Sequence, residues 1–248
     1  MNNYTNKKIL VTGGAGFIGS HLCEKLLSQG HEVICVDNYF TGSKSNVKNL
    51  LDYSKFELIR HDITFPLYLE VDEIYNLACP ASPIHYQYDP VQTIKTSVHG
   101  AINMLGLAKR IGAKIFQAST SEVYGTAKYT PMDERHPLNP TTTYASGKLA
   151  ADKALISYFK MFELDAFIVR PFNNYGPCQH IEKAIPNFII SALRDQPLTI
   201  HGQGKSSRDW IFVKDTCEAI DKIMHAPSQK VLGQAVNLGT GVDTKVLD

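Results

Sequence analysis

A glycine-rich turn set between an apolar run and a helical pattern constrains this chain more than any other stretch. Ile9-Leu10-Val11 leads into Thr12-Gly13-Gly14-Ala15-Gly16-Phe17-Ile18-Gly19, and a helical pattern runs from Phe17 to Gln29, ended by Gly30. The turn satisfies GxGxxG through Gly14, Gly16 and Gly19, and GxxGxxG through Gly13, Gly16 and Gly19. Glycines at these places permit a tight turn, close approach of the backbone to a pyrophosphate, and close helix–strand packing. The pyrophosphate then sits at the positive end of the helix dipole. Asp37 ends the next apolar run 18 residues after Gly19, where a carboxylate accepts both ribose hydroxyls and repels a 2′-phosphate. No basic residue stands directly beside Asp37 to receive that extra phosphate. The expected cofactor is therefore NAD rather than NADP, held by Gly13, Gly16, Phe17, Ile18, Gly19 and Asp37.

Beyond this unit, short apolar runs keep alternating with helical patterns. Val33-Ile34-Cys35-Val36, Phe56-Glu57-Leu58-Ile59, Glu73 to Ala78, Lys114 to Ala118 and Ala166 to Val169 read as strands. Helices are predicted from about Pro90 to Arg110 and from about Thr143. Continuous apolar strands separated by helices indicate a parallel sheet covered on both faces, an α/β fold of the Rossmann-type doubly wound class. After Arg170 the rhythm changes: Pro171, Pro177, Pro186 and Pro197 interrupt the chain. The expected division is a dinucleotide-binding domain over 1–170 and a smaller substrate lobe over 171–248, with some segments returning to the sheet. Lys+Arg minus Asp+Glu is 25 − 24 = +1, so no global field draws the chain to nucleic acid or an anionic membrane. The five cysteines form no metal-ligand spacing, and no apolar run reaches spanning length. The N-terminal residues Met1 to Lys8 carry no signal-like apolar segment, and a soluble cytoplasmic protein without a metal is expected.

A Tyr-x-x-x-Lys pair, Tyr144 and Lys148, opens the helix that follows the fifth strand. Positions i and i+4 share one helix face. A tyrosine of pKa about 10 is a poor base at neutral pH, and a nearby ammonium together with an oxidised nicotinamide would pull it down. The fifth strand ends in Ala118-Ser119-Thr120-Ser121-Glu122, which brings hydroxyls and a carboxylate to the same C-terminal sheet edge, where open α/β sheets bind ligands.

These residues carry a family resemblance. TGGAGFIGSH, STSEVYG, YASGK, RPFNNYGP and GQGKSSRDWIFVKD occur in this order, and the chain resembles the extended short-chain dehydrogenase/reductase family of NDP-sugar epimerases, dehydratases and decarboxylases. The resemblance implies that Tyr144 takes the proton of a sugar hydroxyl, that Lys148 tunes it and holds the nicotinamide ribose, and that Thr120 hydrogen-bonds the same hydroxyl. It implies that Asp62, with Asn38, Ile63 and Ala78, lines the cofactor side. Asn173 and Arg208 would clamp the substrate diphosphate, with Pro83, Tyr86 and Lys183 completing the substrate contacts. A homodimer built on the helices from Pro90 and from Tyr144 is also implied.

Asn76 to Gln87 and His61 to Tyr68 look like the UDP-glucuronate decarboxylases (UDP-xylose synthases) of that family. The second half departs from them. Decarboxylases of this group carry an acidic pair between the Tyr and the Lys, where this chain has Ala145, Ser146 and Gly147. Arg208-Asp209-Trp210 and RPFNNYGP look more like 4,6-dehydratases or 4-epimerases. The leading expectation is decarboxylation of UDP-glucuronate through a 4-keto intermediate. The alternatives are 4,6-dehydration with Glu122 as base, 4-epimerisation, and a non-catalytic nucleotide-sugar-binding module. Relatives continue past the motif that here reads Asn237-Leu238-Gly239-Thr240-Gly241, so a substrate lobe lacking part of its roof, poor turnover and an exposed apolar patch are expected.

Overall fold

A computed structural model describes residues 6–200, 202–204 and 206–247. Met1 to Thr5, His201, Lys205 of the GQGKSS motif and the final Asp248 lie outside the described residues. In chain order the elements are β1 (Lys8–Thr12), α1 (Phe17–Ser28), β2 (Glu32–Asp37), β3 (Phe56–Arg60), β4 (Glu73–Asn76), α2 (Pro83–Tyr88), α3 (Pro90–Ile111), β5 (Lys114–Ala118) and α4 (Thr143–Phe162). They continue as β6 (Ala166–Pro171), β7 (Asn173–Tyr175), α5 (Ala184–Leu193), β8 (Ser207–Arg208), β9 (Trp210–Phe212), α6 (Val213–Met224), α7 (Ser228–Val231), β10 (Ala235–Leu238) and β11 (Thr244–Lys245).

Seven strands form one sheet in the order β10-β6-β5-β4-β1-β2-β3, and every pairing is parallel. The Rossmann-type doubly wound expectation is met. Alternation along the strands separates two cores. Ile9 and Val11 of β1 join Leu22 and Leu26 of α1 and Ile220 of α6 on one face. Leu10 joins Met104 and Leu105 of α3 and Leu155 of α4 on the other. Burying both faces is what the continuous apolar runs require.

Local chemistry fixes the ends of the long helices. Asp89 caps α3 by accepting from the Gln92 N–H, Pro90 opens it, and Gly112 closes it in the left-handed region at φ 70°. The Thr142 hydroxyl caps α4 by accepting from the Ala145 N–H, which pins the start of the Tyr144 helix. α3 and α4 approach closely at Gly147, where an added Cβ would lie 3.0 Å from the Ser97 Cβ. Ala145 is buried and Ser146 exposed, so these three positions serve packing and solvent rather than the cleft.

After β6 the chain leaves the sheet. β7 pairs with β9 in parallel, β8 pairs with β11 antiparallel, and β10 returns to the sheet beside β6. Pro186, read from the sequence as an interruption, lies within the first turn of α5, where its missing N–H breaks no helical bond. α5 buries none of its residues and leaves Ile189 and Leu193 at 55% and 82% exposure. The stretch after β4 contains the short helix α2, with Pro83 at its start. Among the described residues no helix is long and apolar enough to cross a membrane, and no His/Cys/Asp/Glu group could hold a metal ion.

Candidate active site at the C-terminal edge of the sheet

The glycine turn connects β1 to α1 at the C-terminal edge. Gly13 adopts φ +68° and lies so close to the end of β4 that a Cβ would meet the Ala78 backbone at 2.9 Å. Gly19 packs α1 onto the turn, since its Cβ would fall 2.2 Å from the Gly13 carbonyl oxygen. Gly16 precedes α1 and no side chain caps that helix, so its first-turn N–H groups are directed at the turn.

A cavity of about 380 Å³ opens beside the turn, with Gly13, Asp37, Asn38, Asp62, Ile63 and Ala78 in its walls. Asp37 is held at the cavity edge by two backbone donors: the Ala15 N–H bonds one carboxylate oxygen at 3.0 Å and the Tyr39 N–H the other at 2.8 Å. Burial pushes the Asp37 carboxyl up, and these backbone bonds oppose it. Each oxygen keeps lone-pair capacity for a ribose hydroxyl. Burial disfavours the charge on Asp62, yet the Thr64 N–H and hydroxyl and the Asn38 amide outweigh it and hold the carboxyl below its usual range. Phe17 and Ile18 stand in the first turn of α1 and do not line this cavity. A donor-lined glycine turn, an anchored carboxylate and a cleft between them fit an adenine dinucleotide.

Across the sheet the surroundings of Asp37 differ from the sequence expectation. Arg60 is its direct partner on β3, with the guanidinium 5.9 Å from the centre of the Tyr39 ring. Adjacency in the chain could not reveal this cation. Asp37→Ala is therefore expected to narrow the preference for NAD over NADP, because it removes the repelling carboxylate and leaves Arg60 nearby. Parallel calorimetric titrations of both cofactors measure it; NADP binding as tight as NAD in the unaltered protein would contradict the role given to Asp37.

The chemical constellation lies where β4, β5 and α4 meet. Tyr144 and Lys148 are 7% and 3% exposed on one face of α4. The Lys148 ammonium donates to the Ala118 carbonyl at 2.9 Å and lies 6.0 Å from the centre of the Tyr144 ring. Tyr86 of α2 stacks on Tyr144, with ring centres 5.4 Å apart and planes 9° from parallel. Burial drives the Tyr144 phenol well above its usual range; Cys79 and Glu122 push the same way, and the Thr120 hydroxyl pulls it down through a hydrogen bond. A cation at the phenol is what ionisation near neutral pH requires.

Glu122 opens onto the cleft, but the protein crowded around it raises its carboxyl, against the pull of Lys183 and Arg208. Burial lowers the Lys183 ammonium, opposed by Glu182 and Glu122. Residues separated by 61 and 86 positions (183 − 122 and 208 − 122) thus act on one carboxylate. Arg208 is exposed on β8 and donates to the Ser207 carbonyl. Asn173 sits on β7, tied through its backbone N–H to the Asp209 carbonyl at 3.1 Å. Pro83 is exposed at the start of α2. Two residues that no sequence signal singles out also shape the site. The Asp209 carboxylate accepts from the Thr240 N–H, the Thr240 hydroxyl and the Gly241 N–H and so fixes the turn after β10. Glu182 accepts from Ser82 and joins the wall around α2 to the segment carrying Lys183.

The chain is similar to known proteins over most of its length. UDP-glucuronic acid decarboxylase 6 of Arabidopsis thaliana is 49% identical over 228 residues, covering 89% of this chain and 66% of that protein. UDP-glucuronic acid decarboxylase 1 of Xenopus tropicalis is 44% identical over 240 residues, covering 94% of this chain and 56% of that protein. The chain thus spans less than two thirds of the length of these relatives. Among solved structures, the dTDP-glucose 4,6-dehydratase of Bacillus anthracis in complex with NAD superposes with a TM-score of 0.86 at 31% identity, covering 97% of this chain and 77% of that one. The sequence profile of the NAD dependent epimerase/dehydratase family matches residues 9–239, and the chain belongs to that family.

Proposed function

We propose that this chain carries the cofactor and reaction centre of a UDP-glucuronate decarboxylase, with 1–170 as the NAD domain and 171–248 as part of the substrate lobe, apart from α6 and β10, which return to the sheet of the NAD domain. The observation that carries the reading is the gathering of Tyr144, Thr120 and Lys148 beside Glu122, with Lys183 and Arg208 close enough to act on that carboxylate. Two cations facing the cleft favour an anionic substrate such as a sugar diphosphate that also carries a carboxylate. When bound, NAD supplies the oxidant and later the reductant at sugar C4. Tyr144 accepts the C4 hydroxyl proton, helped by Thr120, and Lys148 stabilises the phenolate. The resulting C4 ketone stands β to the C6 carboxylate. The C5–C6 bond breaks, CO2 leaves, its electron pair passes toward the ketone, and C5 then takes a proton. Lys183 and Arg208 hold the phosphates, and Tyr86 lines the sugar pocket by its stacking on Tyr144.

A second reading, 4,6-dehydration, draws on Glu122: a raised carboxyl at the cleft is suited to remove a C5 proton from a 4-keto sugar. Incubation with UDP-glucuronate, UDP-glucose, UDP-GlcNAc and dTDP-glucose, followed by mass analysis, separates the two. Loss of CO2 from UDP-glucuronate supports decarboxylation, and loss of water from a neutral hexose supports dehydration.

The proposed working form is a homodimer in the cytoplasm. Val91, Ile94 and Ile102 of α3 and Met161 and Phe162 of α4 are 40–72% exposed, an apolar face suited to a second copy. Light scattering at micromolar concentration is expected to give twice the chain mass, and a monomer mass would refute the dimer.

A further inference from the structure

We infer that Asp152 is a positioning residue that sets the register between the end of β5 and the Tyr144 helix; the inference rests on the proposed role of Tyr144. Three consecutive residues at the end of β5 each meet one residue on a single face of α4. The Ala118 carbonyl accepts from the Lys148 ammonium at 2.9 Å. The Ser119 hydroxyl donates to an Asp152 carboxylate oxygen at 2.9 Å. The Thr120 hydroxyl lies near enough to the Tyr144 phenol to favour its ionised form. Residues 144, 148 and 152 follow at i, i+4 and i+8, so each lies one turn beyond the last.

Asp152 is the inner end of this row and is fully buried. Arg170 of β6, also buried, donates to the same carboxylate oxygen from Nε at 3.2 Å and from Nη2 at 3.0 Å. Its Nη1 donates to the Tyr124 hydroxyl at 3.1 Å, and that hydroxyl donates to the Asn237 side-chain oxygen on β10 at 2.6 Å. One carboxylate therefore joins α4, the end of β5 and β6, and a chain of donors carries the link to β10. A buried ion pair contributes little net stability compared with well-packed apolar side chains, because desolvation offsets the attraction; its best-attested use is to fix register. Here the register in question is the one that brings Thr120 and Lys148 to Tyr144.

The test separates positioning from bulk stability. Asp152→Leu combined with Arg170→Met replaces the pair by apolar groups of similar volume, and Ser119→Ala removes a single arm while keeping the pair. The measurements are NMR of ring-labelled tyrosine, with the Tyr144 signal assigned by its loss in Tyr144→Phe, and kcat on whichever sugar nucleotide the unaltered chain converts. The groups facing the phenol (Cys79, Tyr86, Thr120, Glu122 and Lys148) are the same in every variant. Expected results are a displaced Tyr144 signal with those of exposed Tyr53 and Tyr68 unmoved, and a kcat lower by roughly tenfold to a hundredfold with KM little changed. An unmoved Tyr144 signal, or full kcat, in the folded variants would overturn the inference. Should the double variant not fold, Ser119→Ala alone decides by the same criteria. Should the unaltered chain convert no sugar nucleotide, the reading of the reaction fails while the tyrosine signal still decides on Asp152.

Discussion

Tyr144→Phe is expected to lower turnover by roughly 10²–10⁴-fold, the usual contribution of a positioned acid or base, while NAD affinity stays within about twofold of the unaltered protein. The substitution removes only the phenolic oxygen. Its ring keeps the stack on Tyr86 and the burial that α4 needs. Single-turnover formation of reduced cofactor, set against a cofactor titration, reads the two effects separately. Reduced cofactor forming at the unaltered rate would remove Tyr144 from the base role. Equal loss of binding and turnover would mark it as a structural residue of the cofactor site.

Gly19→Ala carries the other large effect, on cofactor binding. The added carbon would stand 2.2 Å from the Gly13 carbonyl oxygen and 2.7 Å from the Gly14 Cα, both backbone atoms that cannot swing aside. The glycine turn and α1 must separate, which costs about 1–3 kcal/mol of stability. Displacement of the α1 N-terminus from the pyrophosphate position should weaken NAD by about 100-fold, equivalent to about 3 kcal/mol of binding. Gly106→Ala is the control: beyond the adjoining backbone of its own helix nothing lies within 4 Å of the place its Cβ would take, and alanine in that exposed turn of α3 should stabilise by up to about 1 kcal/mol. Calorimetric titration with NAD and thermal unfolding of the two variants test the contrast. Gly19→Ala binding NAD as the unaltered chain does would show that close packing at the turn is not what seats the cofactor.

What was legible in the sequence follows the range of the forces involved. β1, the glycine turn, α1 and β2 are local, each written in a short run of residues, and their order was readable along with the parallel sheet. α2 was missed because six residues beginning at a proline are too few to show a helical period. The parallel ladder of Asn173 with Trp210 joins distant segments, and no pattern in either announces the other. The same holds at the site. Tyr144 and Lys148 share a helix and could be paired by spacing, and the resemblance named Glu122, Lys183 and Arg208 singly. That the last two bear on Glu122, that Arg60 lies across from Asp37, and that Asp152 meets Arg170 are facts of folding. The absent acidic pair between Tyr144 and Lys148 also changes meaning: Ala145 and Gly147 are buried packing positions and Ser146 faces solvent, so the departure lies outside the chemical cleft.

The central claim, oxidation at C4 followed by loss of CO2, is tested most directly with UDP-glucuronate carrying deuterium at C4. Incubated with NAD and this chain, it should yield a product lighter by one CO2 that keeps the deuterium at C4. A product that has lost CO2 but exchanged the label with solvent would contradict the C4 route, and loss of water, an isomer of unchanged mass or no product would contradict decarboxylation itself.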